Sequence, residues 1–355
     1  MKWTQRLTSL TFLWCLFFNS GLLASTDSAP RVVFVNPGHA DESFWQDVDD
    51  YAKAAAKALT IDLEIIHGER DADLTHQRLS ERIATGNTPD YVILVNEART
   101  GPALLRTLSN SSSHVLFTLN NLTPDELVAI QQDAKWQQRL LPGVFPNNFR
   151  IGYLTAQALY RKGGQRSGDA LLLSGDTHTP ASIQRKAGAL AFIEQVGGLD
   201  GVRHGYGEWQ ESRAFNETNR ILSLYPNVRY IWTANDHMAY GAQRALKKND
   251  KVIGEDAFIS TINTSTRVLN ELDQGNVTVL GGGHFTAVGL ALVKIHQHRT
   301  GKIWPQRTKF TLFHLIEPDT TLFHVLVDKQ WNNIDFRAID LSSNPIDPYL
   351  QRKEK

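Results

Sequence analysis

The sequence predicts an α/β protein made of two similar domains, each a doubly wound parallel sheet with helices on both faces. Three observations predict it. Short β-branched runs alternate with segments whose apolar residues recur at helical spacing. The runs are nearly continuously apolar, as strands buried on both faces require. The alternation breaks once, at "LLPGVFPNN", and then restarts over a similar length.

In order, "RVVFV" reads as a strand, and Phe44, Val48, Tyr51, Ala52, Ala55 and Leu59 then trace one helix face. "IDLEII", a helix over Leu74 to Ala84, "YVILV", a helix near Ala103 to Leu108, and "VLFTL" complete a βαβαβαβ series with right-handed crossovers. After the break come a helix from Ile151 to Tyr160, the strand "ALLLSG", a helix from Ser182 to Val196 and a weak strand at Val202 to Tyr206. A helix to Leu224, the strand "YIWTA", a helix around Met238 and the strand "AFISTI" follow. "VTVLGGGHF" leads into the helix "VGLALVKIHQH", and "KFTLFHLI" and "TLFHVLV" read as late strands. At the turn in "YIWTANDHMAYGAQRAL", Asp236 reads as the helix N-cap.

Length and composition fit this reading. The chain has 355 residues, 41% hydrophobic and 21% charged, enough for two ordinary domains. Lysine plus arginine and aspartate plus glutamate are both 37, so no basic field points to a nucleic-acid partner. At the start, Lys2 and Arg6 precede an apolar run from Leu7 to Phe18, with small residues near Ala24 and Ser25. That is the layout of a cleaved secretory signal over residues 1–25. Asn19, Ser20 and Gly21 stop the run short of the ~20 apolar residues a membrane span needs. Trp14 stands before Cys15 where a lipid-modified cysteine would follow a small residue. Cys15 is the only cysteine, so the mature chain is expected to have no disulfide, no thiolate nucleophile and no cysteine-ligated metal. Together these features fit a soluble bacterial periplasmic protein.

Motifs for chemistry are sparse. "GGGH" at Gly281 to His284 lacks the spacing of a dinucleotide loop, and no phosphate loop occurs. His296 and His298 are two apart on a helix and cannot chelate one ion; they are expected at the surface, and neither metal nor cofactor is expected. An exported α/β hydrolase using Ser174 or a site centred on His178 is a rival reading, without a nucleophile-elbow motif to support it.

What recurs is polar and aromatic residues just after predicted strands: "NPGHADESFW", "NNLTP", "DTHTPASIQRKAG", then Trp209, Asn235, Asn263 and His284. Each has a plainer reading. Phe44 and Trp45 could be core residues at a helix start, Arg185 a surface cation, the asparagines turn formers. Taken jointly, flat aromatics with fixed amide and guanidinium groups facing one crevice suit a polyhydroxylated ring.

In "SFWQDVDDYAKAAAKALTIDLEII", "SIQRKAGALAFIEQ" and "YPNVRYIWTANDHMAYGAQRAL", the chain resembles type I periplasmic binding proteins of the ribose- and galactose-binding family. "VNPGHADESFW" and "NNLTP" are also similar to the vibrio receptor for autoinducer-2, which signals through a membrane kinase. The resemblance implies a three-strand hinge with crossings near Pro146 to Asn148, Gly281 to His284 and Ile303 to Lys309. One lobe would be residues 30–146 plus 284–306, the other 147–283 plus 307–345. It further implies no enzymatic activity and a monomer that passes a sugar-like ligand to an ABC permease, or reports it to a membrane sensor. For the site it implies Glu42, the clamping pair Phe44 and Trp45, Asn120, Asn121, Arg185, the opposing aromatic Trp209, Asn235, Asn263 and His284. Asn120 and Asn121 stand where ribose binders carry Asp-Arg, and Asn263 where they carry aspartate, which puts ordinary ribose or glucose recognition in doubt.

Overall fold

The computed structural model describes residues 28–301 and 310–341. The signal segment and the expected crossing at Ile303 to Lys309 lie outside the described residues.

The first lobe is a five-stranded parallel sheet. Its elements run β1 (Arg31–Asn36), α1 (Ser43–Leu59), β2 (Asp62–His67), α2 (Ala72–Ala84), β3 (Tyr91–Leu94), a single helical turn at Glu97–Arg99, α3 (Gly101–Thr107), β4 (His114–Thr118), α4 (Pro124–Gln131), α5 (Ala134–Arg139) and β5 (Leu140–Val144). The strand order is β2-β1-β3-β4-β5. Side-chain alternation divides its core: Val32 and Phe34 join the cluster of α1, whereas Val33 and Val35 join Leu79, Leu104 and Leu105 of α2 and α3.

The second lobe follows with α6 (Asn148–Lys162), β6 (Asp169–Ser174), α7 (Pro180–Val196), β7 (Gly201–Tyr206), α8 (Glu211–Leu224), β8 (Val228–Thr233), α9 (Asp236–Lys248), β9 (Phe258–Ile262), α10 (Thr266–Asp273) and β10 (Val279–Gly282). Then α11 (Ala287–Arg299) packs on α1 and β5 of the first lobe, β11 (His314–Ile316) pairs antiparallel with β10, and α12 (Thr321–Asp328) lies beside α10. The second sheet has the order β11-β10-β9-β8-β6-β7.

Helices α6 and α7 approach to backbone contact. A Cβ on Gly152 would stand 2.0 Å from the Arg185 carbonyl oxygen, and one on Gly188 would stand 1.9 Å from that of Phe149. Only glycine permits this spacing.

The structure departs from the sequence reading in several places. "TLFHVLV" is helix α12, not a strand; the Thr320 side chain caps it by accepting from the Phe323 N–H at 3.2 Å. Part of the presumed interdomain break, Leu140–Val144, is strand β5. Asn235, not Asp236, caps α9: its Oδ1 accepts from the Met238 N–H at 3.0 Å. His298 is half-buried rather than at the surface, with its Nδ1 2.8 Å from the Tyr91 hydroxyl, and His296 is half-buried too.

The expected lobe boundaries also need revision. Residues 331–341, expected in the second lobe, pack on the first: Trp331 and Phe336 lie edge-on against Tyr51 of α1, and Arg337 donates to the Ala58 carbonyl at 2.8 Å. Buried aromatic surface draws the chain back across once more. Residues 145–147 lie between β5 and α6, and a short turn, His284–Thr286, separates β10 from α11.

Candidate functional site

In both lobes the strand order reverses beside a central strand, and the carboxyl ends of the strands face one interlobe cleft, where open α/β sheets place ligands. The cleft holds about 460 Å³ of empty space, part of it open to solvent. From the first lobe it is lined by Glu42, Phe44 and Trp45 after β1, Arg70 after β2, Glu97 after β3, and Asn120 after β4. From the second come Thr179 and Arg185 after β6, Trp209 after β7, Asn235 after β8, Asn263 after β9 and His284 after β10, with Asn148 at the start of α6.

Asn121 is the exception among the expected residues. Its side chain is exposed and lines a separate depression with Phe117 and Lys294, while its carbonyl accepts from Asn96 at 2.9 Å. Leu119 has a left-handed φ of 62°, and that kink leaves only the first asparagine of the pair facing the cleft.

Several expected contacts are engaged within the protein. Asn120 donates to Glu97 Oε2 at 2.9 Å and accepts from the Ala181 N–H of the other lobe at 3.0 Å. Asn263 donates 2.7 Å to Asp236 Oδ1 and Asn235 donates 3.3 Å to the Trp209 carbonyl. Asp236 is fully buried and also accepts from Ser265 and Tyr240, so it builds the wall behind the cleft. Two further bonds link the lobes: the Ala98 N–H donates to Thr179 Oγ1 at 3.3 Å, and Ser43 Oγ lies 3.3 Å from His237 Nε2. The lobes are therefore closed on one another.

The aromatic residues are fixed from behind. Trp209, at φ 62°, donates its indole N–H to Asp176 Oδ2 at 2.6 Å. Burial alone would raise the Asp176 carboxyl, but hydrogen bonds from Thr179 and Trp209 hold it below its ordinary value. Phe44 stacks on His284 with ring centroids 4.6 Å apart and meets Trp45 edge-on at 5.0 Å. Trp45 and Trp209 thus approach the cleft from opposite lobes.

Two guanidinium groups behave differently. Arg70 binds both oxygens of Glu42 and reaches Glu97 at 3.2 Å. Burial pulls its pKa down, but the Glu42 and Glu97 charges outweigh that and raise it. Arg185 is bonded only to neutral groups: Asn148 Oδ1 at 2.9 Å, the Ala234 carbonyl at 2.8 Å and His284 Nε2 at 2.9 Å. Burial lowers it to about 9, and burial together with the Arg185 charge holds His284 well below the ordinary histidine range. His284 is then neutral, and with Nε2 accepting, its proton sits on Nδ1. That Nδ1 is buried without a hydrogen-bond partner. Burial, opposed by Arg70 and reinforced by Asp176 and Glu42, pushes Glu97 up to about 7.

Arg70, Glu97, Thr179 and Asn148 were not among the expected residues. Arg70 and Glu97 follow β2 and β3, so applying the strand-end criterion to every strand would have found them. The hydrolase candidates do not meet: the Ser174 hydroxyl is buried without a partner, whereas His178 is exposed and its Nδ1 lies 3.0 Å from Thr177 Oγ1. Among the described residues no cluster could hold a metal ion, and no helix is long and apolar enough to cross a membrane.

Comparison with known proteins agrees with this geometry. The profile of a family described as a periplasmic binding protein domain matches residues 32–297. The chain is 23% identical over 247 residues to a D-apiose import binding protein of Paraburkholderia graminis, spanning 70% of this chain and 74% of that protein. It is 22% identical over 269 residues to the D-allose-binding periplasmic protein of Escherichia coli, spanning 74% and 83%. A crystal structure of a periplasmic sugar-binding protein from Pseudomonas fluorescens superposes with a TM-score of 0.78 at 29% identity, over 90% of this chain and 96% of the other.

Proposed function

The chain belongs to the periplasmic binding protein domain family, and from that membership we propose that it captures a sugar or sugar-like small molecule between its lobes and delivers it to an ABC importer. One observation carries the reading: aromatic faces and fixed hydrogen-bonding groups from both lobes converge on one closed cleft. Trp45 and Trp209 offer faces to the C–H surfaces of a ring, and Arg185, His284 and Glu97 offer donors and an acceptor for its oxygens. The chain's similarity to a D-apiose import binding protein of Paraburkholderia graminis favours an importer over a sensor kinase as the partner. The protein acts as a monomer in the periplasm, with residues 1–25 removed as its export signal, which mass spectrometry of the exported protein checks directly.

Calorimetry and thermal shift with a panel of aldopentoses, aldohexoses, sugar acids and amino acids test the reading. A cognate sugar at ~100 times its dissociation constant stabilises the closed form by about 2.7 kcal/mol. Stabilisation by an amino acid alone, with every sugar and sugar acid inert, would overturn it.

A further inference from the structure

Within the proposed sugar site, the arrangement of charge specifies the ligand more narrowly. Arg185 is 4% exposed, and its three protein acceptors, Asn148 Oδ1, the Ala234 carbonyl and His284 Nε2, are all uncharged. Its guanidinium carbon also lies 5.5 Å from the neutral Phe313 ring. A guanidinium has five N–H groups, so two remain once these three bonds are made, one on each terminal nitrogen. A buried cation held only by dipoles is stabilised strongly by an anion placed against it.

The carboxylates of the cleft make their hydrogen bonds elsewhere, although Glu97 is near enough for its charge to act on Arg185. Glu42 is engaged through both oxygens by Arg70, and Glu97 is bonded to Arg70 and Asn120. Asp176 is engaged by Thr179 and Trp209. The cleft is therefore polarised, with an excess of acceptors around Arg70 and an excess of donors at Arg185. His284 adds to the donor end, since its unmet Nδ1 is buried on the same wall.

We propose that the ligand is an acidic sugar, an aldonate or uronate, whose single carboxylate sits against Arg185 and His284 while its hydroxyls face Glu97 and the tryptophans. A neutral sugar would leave the guanidinium with no directly bonded counter-charge, only the more distant charge of Glu97. A phosphate would bring up to two negative charges to a single guanidinium.

The test is calorimetry on the full mature chain at pH 7 with matched probes: galacturonate against galactose, glucuronate and gluconate against glucose, and glucose 6-phosphate. At least one acid is expected to bind about tenfold or more tightly than its neutral parent, with an affinity that falls as salt is added. Asn148→Asp places a carboxylate where Asn148 Oδ1 now stands, 2.9 Å from Arg185 Nε, and should collapse that preference toward unity. Circular dichroism verifies that the variant folds, and the wild-type ratio with its salt dependence decides the matter if it does not. Equal or tighter binding of a neutral parent, or of the phosphate, would overturn the acidic-ligand proposal and leave the sugar site standing. Failure of every acid here, with a neutral sugar of the wider panel binding, would likewise overturn the acidic-ligand proposal alone, and binding of an amino acid with every sugar and sugar acid of both panels inert would overturn both.

Discussion

Asn120 and Ala181 join the two lobes directly: the amide Oδ1 of the first accepts the backbone N–H of the second at 3.0 Å, across the cleft. The same amide donates to Glu97, so one side chain couples lobe closure to the acidic wall of the site. Asn120→Ala removes both bonds. Ligand affinity should fall by about 1.5 to 3 kcal/mol and more than the stability of the open form, because the Ala181 bond exists only when the lobes are shut whereas the Glu97 bond lies within the first lobe. Calorimetry measures the first effect, and small-angle scattering should show a less compact protein at saturating ligand. An unchanged affinity would mean that Asn120 closes nothing.

The pose of Trp209 depends on the residue beneath it. A Cβ on Gly175 would stand 2.2 Å from the indole ring. Gly175→Ala should displace the ring and weaken binding, at a stability cost of about 1 to 3 kcal/mol for the overpacking. Trp209→Ala should abolish much of the change in tryptophan fluorescence on binding; if the full signal persists, the ring does not contact the ligand.

Asp236 supports the fold rather than the ligand. It is fully buried and accepts from Asn263, Ser265, Tyr240 and the His237 N–H. Asp236→Ala strands several buried donors and should destabilise the protein by about 3 to 5 kcal/mol in urea denaturation. A loss under 1 kcal/mol would show that water replaces it freely.

Glu97 gives stability a pH dependence. Its folded pKa, about 7 against an ordinary 4.5, means that the native state holds this proton where the unfolded chain has released it. Its contribution is therefore favourable at low pH and is lost as pH rises from 4.5 through 7. Burial is the main cause, with the Arg70 and Arg185 charges lowering the value and those of Asp176 and Glu42 raising it. Unfolding free energies measured from pH 5 to 8 should decline with pH in the wild type and decline less in Glu97→Gln. Parallel curves would exclude Glu97 as the source.

Much of this was legible in the sequence because parallel strands buried on both faces leave apolar runs, as in Tyr91 to Leu94 and Tyr230 to Trp232. Elements without that signature were misread. Thr321 to Val327 is too short and too evenly apolar to reveal its period, so helix and strand look alike. Pro142 and Gly143 made β5 read as a break, yet β5 is an edge strand, where a missing N–H matters least. The return of residues 331–341 to the first lobe rests on packing against Tyr51, a long-range contact that no local pattern encodes. Within the site, strand ends located Arg185, Trp209 and His284, but which amides face inward depends on backbone angles such as that of Leu119.

The backbone contact between α6 and α7 has a consequence for how recognition survives motion. With hydrogen atoms alone between Gly152 and Arg185, and between Gly188 and Phe149, the two helices form one slab that carries both Arg185 and Asn148. The Arg185–Asn148 pair is then an assembled unit that rides with its lobe, and opening changes its distance from the first lobe, and from Phe44 with the His284 stacked on it, without altering the pair's internal geometry. Amide protons within 148–162 and 180–196 should accordingly exchange at nearly the same slow rate with or without ligand, while those around Glu97 and Asn120 slow down when the cleft fills.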